Sequence, residues 1–165
     1  MRIKELSSEE TGKLRTQLEY RLSKTVDKWE PYWYPLCKVK ENIPVIAFDS
    51  GFIAREENFK IIRDIFVKHN ISQVIELKEL YNARIIESFT DEEYFLEKDG
   101  DSIKLPYMSE CFWFDSKNDW ILYTSHECTI AFGGDWLVNE VKSQINNYSK
   151  YEMIEYLPVE SRDIE

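Results

Sequence analysis

One block in the C-terminal half constrains the fold of this chain more than any other segment. Residues 120–142, WILYTSHECTIAFGGDWLVNEVK, read as a strand, a polar turn, a second strand, two glycines and the start of a helix. Two strands joined by so short a turn pair antiparallel. The block therefore predicts a hairpin that leads directly into a helix. The turn of that hairpin holds four polar or reactive side chains: Ser125, His126, Glu127 and Cys128.

The residues before this block predict further antiparallel strands. Asp99-Gly100 is a strong hairpin signal, because both central residues of the favoured turn need a positive φ. Alternation in the last strands indicates one buried face and one face in water. Asp135 is the expected N-cap of a final helix. The apolar pattern predicts a five-stranded meander at residues 94–97, 102–105, 110–115, 120–124 and 129–133, followed by a helix from residue 136 to about residue 145.

The N-terminal half is predicted to begin with a long helix. Apolar residues at every fourth position indicate a helix over residues 9–28, and Ser7 or Ser8 can cap its start. Residues 79–89 fit a helix or a strand equally well, because their periodicity does not decide between the two.

Between these segments the pattern fits a βαβ unit. Strand 45–48, helix 56–68 and strand 74–77 follow one another within the expected length, which would make the two strands parallel neighbours. An α+β arrangement without this parallel pair also fits. Asn70 is expected to close the helix in a left-handed conformation, with Ile71 as the following hydrophobic contact.

Length and composition indicate one α+β domain over residues 1–165, a mostly antiparallel sheet with N-terminal, middle and C-terminal helices packed on it. No apolar run approaches the roughly 18 residues that span a bilayer, and no apolar segment follows the charged N-terminus. Three cysteines, Cys37, Cys111 and Cys128, do not make a disulfide framework. We therefore expect a cytoplasmic protein that has no membrane partner.

The charge of the chain is uneven. The net charge is −10, and residues 1–86 carry 15 basic and 13 acidic side chains, whereas residues 87–165 carry 6 and 18. An acidic half repels nucleic acid and attracts a basic partner. Ordinary solubility explains the same charge without any partner.

Two groups of residues are candidates for binding a protein. Trp and Tyr dominate the energetics of many interfaces, so the aromatics of WEPYWYP could anchor a partner; a loop packed over the core is the alternative. An acidic run in the predicted hairpin region could meet a basic partner; a charged edge that blocks association is the alternative. The binding candidates are Trp29, Tyr32, Trp33, Tyr34, Glu92, Glu93, Asp99 and Asp101.

The predicted strand register brings Cys111 near the reactive side chains of the turn. If Asp115 pairs with Trp120, Cys111 lies opposite Thr124. If Thr124 also pairs with Thr129, Cys111 lies with His126, Glu127 and Cys128 at one end of the sheet. Cys111, His126 and Cys128 could then bind zinc, although their spacing matches no established zinc pattern.

A small hydrolase centred on His126, Glu127 and the Cys111/Cys128 pair is the catalytic alternative, but acidic surroundings disfavour a thiolate. A purely structural turn is the third interpretation. No glycine-rich phosphate loop is present, so we expect no cofactor.

The pattern W-I-L-Y-x-S-H-E-x-x-I-A-F-G-G-x-W-L, residues 120–137, resembles the C-terminal portion of small acidic bacterial proteins. Some of these are grouped with immunity proteins that neutralise toxins, such as the Smi1/Knr4-like superfamily. The resemblance covers about one-ninth of the chain. It implies a non-enzymatic function and supplies no catalytic residues.

These observations predict a non-enzymatic intracellular protein-binding protein, an immunity protein that neutralises a toxin partner through an acidic, aromatic-containing surface. A small hydrolase or metal-binding enzyme is the competing hypothesis. A homodimer whose interface uses the aromatics is a third.

Overall fold

The computed structural model describes residues 2–21, 44–78, 80–91, 98–99, 102–103, 111–125 and 128–153. Within them lies an antiparallel sheet of seven strands in the order β1-β4-β3-β7-β8-β9-β2. Its strands are β1 (Arg2–Glu5), β2 (Val45–Asp49), β3 (Gln73–Lys78), β4 (Arg84–Glu87), β7 (Cys111–Phe114), β8 (Ile121–Thr124) and β9 (Thr129–Gly133). The helices are α1 (Ser8–Arg21), α2 (Ser50–Ile53), α3 (Glu56–Lys68) and α4 (Asp135–Gln144). The α+β class predicted from sequence is confirmed.

Both faces of the sheet are covered. One face packs against α2, α3 and α4 through a large apolar cluster that includes Phe66, Trp120 and Phe132. The opposite face packs against α1, which contributes Leu14 and Leu18. Every residue of β7, β8 and β9 is buried, so the expectation that these strands have one face in water is wrong. Strands buried on both faces read as continuous apolar runs.

The expected parallel pairing of β2 with β3 is wrong. β2 lies at one edge of the sheet beside β9, whereas β3 pairs antiparallel with β4 and β7. The alternation of directions across the sheet makes β2 and β3 run the same way, as a βαβ unit requires. Strands β7, β8 and β9, which come later in the chain, occupy the three positions between β2 and β3. The connection through α3 therefore links two strands that are not neighbours.

The meander is shorter than predicted. β7, β8 and β9 form consecutive hairpins in the main sheet. The upstream hairpin, β5 (Lys98–Asp99) and β6 (Ser102–Ile103), forms a separate two-stranded sheet with Asp99 opposite Ser102. The expected strand at residues 94–97 lies outside the described residues.

Local signals at the helix ends largely match the structure. The Glu10 carboxylate accepts hydrogen bonds from the backbone N–H and hydroxyl of Ser7, and the Ser7 hydroxyl accepts from the Glu10 N–H, which is a capping box before α1. These bonds from Ser7 hold the pKa of Glu10 below its ordinary value. Asn70 has a φ of 55° and, with Ile71, closes α3 by hydrogen bonds to Val67 and Phe66, as predicted.

The start of α4 differs from the prediction, and part of the ambiguous segment 79–89 is now assigned. Gly134, with φ 108°, is the N-cap of α4, and Asp135 is the first helical residue, so the predicted Asp135 cap is wrong. Residues 84–87 of the ambiguous segment form β4, and β1, which the sequence analysis missed, pairs with it. None of the helices in the described ranges is long and apolar enough to cross a membrane.

Candidate functional site

The predicted reactive turn is a tight structural corner in the residues that the structure describes. Thr124 pairs with Ile130, so the expected pairing of Thr124 with Thr129 is wrong by one residue. Ser125 instead faces Thr129, with their hydroxyls 2.9 Å apart and the Ser125 N–H donating to the Thr129 carbonyl at 3.0 Å. A three-residue connection results, and its last residue, Cys128, has a φ of 60°. The Cys128 N–H donates to the Ser125 carbonyl at 3.2 Å, and a left-handed residue at the end of a three-residue hairpin connection is common.

The two cysteines of the proposed pair lie in different environments. Cys111 is opposite Thr124, as predicted, and is fully buried against the face that carries α3 and α4. Cys128 is exposed at the hairpin tip, and its carbonyl accepts a hydrogen bond from the Ser50 N–H at 2.8 Å. The other two residues of the catalytic hypothesis, His126 and Glu127, lie outside the described residues. Across the described ranges, no three His, Cys, Asp or Glu side chains are grouped to hold a metal ion.

Asp49, which ends the edge strand β2, has a local structural role. Its carboxylate accepts a hydrogen bond from the Phe52 N–H at 3.1 Å and so caps the short helix α2. This bond joins the end of β2 to the helix that leads into α3.

The predicted binding residues fall mostly where the structure gives no description. Trp29, Tyr32, Trp33, Tyr34, Glu92, Glu93 and Asp101 all lie outside the described residues, and Asp99 is described only as a backbone position in β5. Their roles stay predictions.

A different set of acidic residues is brought together by the sheet. Neighbouring strands of the sheet alternate in direction. The last residues of β4, the turn between β7 and β8 and the last residues of β9 therefore all lie at the same end of the sheet. Four exposed carboxylates project from these connections, and we call them the acidic end: Glu87, Asp91, Asp119 and Asp135. The half-buried Asp115 lies in the same β7–β8 turn.

The backbone that carries the acidic end is tightly held. The Asp115 carboxylate accepts hydrogen bonds from the N–H groups of Lys117 at 2.9 Å and Asn118 at 3.0 Å, which fixes the β7–β8 turn. A Cβ on Gly134 would lie 2.3 Å from the Asp119 carbonyl oxygen, so the β9–α4 junction touches this turn directly. The carboxylates of Asp119 and Asp135 are therefore carried by two connections that contact each other.

Basic residues also lie near the acidic end. Arg2 on β1 is paired opposite Glu87. The Arg63 guanidinium donates to the Thr90 carbonyl at 2.7 Å, next to Asp91. Lys117 is exposed in the same turn as Asp119. Lys68, at the end of α3, is held by the Glu140 carboxylate at 2.6 Å. Its charge is thereby already paired within the protein.

A second polar cluster, which sequence reasoning missed, joins α3 to α4. His69 stacks on Trp136 with ring centroids 4.2 Å apart, and its Nε2 lies 3.2 Å from the Glu140 carboxylate. Gln144 donates to the same carboxylate at 2.9 Å. Hydrogen bonds from Lys68, Gln144 and His69 lower the pKa of Glu140 from 4.5 to about 2. No local sequence signal relates residues 69 and 140, which are 71 positions apart.

A buried ion pair lies in the middle of the sheet. Glu76 on β3 is 1% exposed and accepts two hydrogen bonds from the guanidinium of Arg84 on β4, directly across the ladder. Lys78 lies 3.9 Å from the same carboxylate. Burial of a charge with its partners in place is typical of a structural ion pair.

Comparisons of the chain with protein-family models, with curated proteins and with solved structures found no match. The resemblance to the Smi1/Knr4-like superfamily therefore stays a prediction from sequence alone.

Proposed function

We propose that this protein is a non-enzymatic, cytoplasmic protein-binding protein of the immunity type, which neutralises a basic toxin by docking its acidic end on the toxin. The observation that carries the proposal is the presence of four exposed carboxylates, on three separate connections, at one end of the sheet. The excess of acidic over basic residues in 87–165 supplies the long-range field of the same sign.

Electrostatics and rigidity both favour this use of the acidic end. A patch of one sign accelerates encounter with a patch of the opposite sign and excludes partners of like charge. Turns that are already ordered lose little conformational freedom on binding. The Asp115 turn and the Gly134 junction are ordered by the hydrogen bonds and contact described above.

The proposal is tested by protection in living cells. The gene is expressed together with the basic protein encoded beside it, and growth is measured. We expect the wild-type chain to restore growth. The variant Glu87→Gln/Asp91→Asn/Asp119→Asn/Asp135→Asn should restore much less growth, because the surface that meets the basic partner has lost its charge.

A matched control removes the same number of charges elsewhere. Glu9→Gln/Glu56→Gln/Glu57→Gln/Asp64→Asn changes four other exposed acidic residues, two of them in the first turn of α3. It should protect as well as the wild type does. Equal protection by both variants would show that the acidic end has no special role, and absence of protection by the wild type would remove the proposal.

A further inference from the structure

The two edges of the seven-stranded sheet are protected in different ways. The outer edge of β1 carries exposed charged residues, Lys4 and Glu5, which discourage pairing with another strand. β2, at the opposite edge, reads Val45-Ile46-Ala47-Phe48 and has no charge before Asp49. An uncharged, apolar edge with strong β-propensity is the kind of edge that pairs with another chain.

Residues 148–153, which we call the C-terminal arm, cover the β2 edge. The Met153 N–H donates to the Ala47 carbonyl at 2.8 Å, and Glu152 forms an antiparallel bridge with Phe48. Tyr151 stacks on Phe52 with ring centroids 4.2 Å apart and an interplanar angle of 16°. In the described part of the chain, the arm is the element that supplies partners to this edge.

The arm spans both faces of the sheet as it crosses the edge. Tyr148 and Tyr151 pack on the cluster beneath α3 and α4, whereas Met153 packs on the cluster beneath α1. The arm thus acts as a strap, and within the described residues it meets the β2 backbone through one ladder hydrogen bond and one bridge. β9, on the other side of β2, pairs with all five of its residues. The arm is the weaker of the two neighbours of β2.

We propose that the β2 edge is a self-pairing surface that the C-terminal arm keeps closed, and that release of the arm lets β2 pair antiparallel with β2 of a second copy. A twofold axis through Ala47 places Ala47 opposite its own copy, Ile46 opposite Phe48 and Val45 opposite Asp49. Opposed residues then lie on the same face of the joined sheet, as antiparallel pairing requires. No two like charges face each other across this register.

The pairing ends at a dimer. Once two β2 strands are joined, the outer edges of the combined sheet are the two β1 strands, which carry Lys4 and Glu5. The same arrangement at β1 would place Lys4 opposite Lys4 or opposite a neighbouring basic residue, so further growth is disfavoured. The described sheet therefore has one edge, β2, that favours self-association and one edge, β1, whose charged residues resist it.

The experiment loosens the arm in the full-length chain. Tyr151→Ala/Met153→Pro removes the stacked ring and the N–H that bonds to Ala47, and light scattering after size exclusion reports the mass over a range of concentrations. We expect the wild type to stay monomeric and the variant to double its mass as concentration rises. Tyr81→Ala is the matched truncation at a site that is 69% exposed, and it should stay monomeric.

A thiol at the centre of the register identifies the interface. Ala47→Cys in the loosened variant, oxidised with oxidised glutathione, should give a disulfide between the two introduced thiols, detected by peptide mass spectrometry. The same substitution with the wild-type arm should not crosslink. Met153→Pro alone is the milder variant if the double variant does not fold.

The inference is overturned by either of two results. In the first, the variants with a loosened arm fold but remain monomeric at every concentration. In the second, they form a dimer, but cysteines introduced at Ala47 do not crosslink whereas cysteines introduced at other positions do.

Discussion

Positive φ angles mark the residues at which this chain reverses direction. Asn70, Asn118 and Asn147 have φ values of 55–57°, and asparagine tolerates this region better than most residues do. Gly134 has a φ of 108° and, in addition, no room for a side chain. The residue types at these positions are therefore set by backbone geometry.

Gly134→Ala should destabilise the protein strongly. The added Cβ would meet the Asp119 carbonyl at 2.3 Å and the Trp120 Cα at 2.9 Å, so the backbone itself would have to move. We expect a loss of roughly 3 kcal/mol or more in the free energy of unfolding, measured with urea. Gly12→Ala is the control, because a Cβ there meets nothing within 4 Å; it lies inside α1 and should gain up to about 1 kcal/mol. Similar values for both would contradict the account of Gly134.

Cys128→Gly separates a structural role of the hairpin tip from a chemical one. Glycine adopts a φ of 60° without the steric cost that a cysteine side chain has there, so stability should rise by up to about 1 kcal/mol. Protection against the toxin should be unchanged, because the proposed function uses no thiol. Loss of protection with stability retained would revive the catalytic hypothesis for this turn.

At the scale of elements, one carboxylate, that of Glu140, joins the polar groups at the contact between α3 and α4. The pKa of Glu140 is lowered to about 2, so this group stabilises the folded state above its ordinary pKa of 4.5, and that stabilisation is lost as the pH falls through about 2. Glu140→Gln should therefore cost about 1–2 kcal/mol at pH 7. The difference from wild type should shrink between pH 4.5 and pH 2, as followed by urea unfolding at each pH.

Glu9→Gln is the control for this carboxylate. Glu9 also pairs with a lysine, Lys13, at 2.7 Å, but its side chain is 80% exposed. Surface pairs of this kind contribute little, so the change should be within about 0.5 kcal/mol at every pH. A Glu140→Gln difference that does not depend on pH would show that hydrogen bonding of the amide, and not charge, explains the effect.

The elements that the sequence predicted correctly are those with local causes. The capping of α1 by Ser7, the closure of α3 at Asn70 and the pairing of Cys111 with Thr124 each depend on residues close in sequence or on one short turn. The N-cap of α4 was misassigned, because Asp135 is a good cap by type and the contact that requires glycine comes from Asp119, 15 residues earlier.

The order of the strands could not be read from local patterns. Strand, helix and strand over residues 45–77 predict a crossover, but nothing within that segment shows that β7, β8 and β9 insert between its strands. Burial of the second face could not be read from local patterns either, because its apolar cluster includes residues distant in sequence, such as Leu6 and Leu18 from the start of the chain. The acidic end was missed for this reason as well: its residues are far apart in sequence, and only the strand order places them at the same end of the sheet.

At the scale of the whole molecule, the acidic end and the C-terminal arm lie at different places on the sheet. The acidic end lies where β4 and β9 finish, whereas the C-terminal arm covers the long side of the sheet along β2. Docking of a basic partner at the acidic end and closure of the β2 edge therefore use different residues. Variants of the arm should leave toxin binding intact as long as the protein stays monomeric.

The most direct measurement is a calorimetric titration of the basic neighbouring protein with the wild-type chain, with the neutralised acidic-end variant and with the four-charge control. Because the carboxylates of the acidic end are proposed to face the partner, their neutralisation should weaken Kd by about tenfold or more, which corresponds to about 1.4 kcal/mol, and the loss should shrink at high salt. The control should bind within about twofold of the wild type. Equal weakening by the two variants would mean that only net charge matters, and unchanged binding by both would contradict the acidic end as the docking surface.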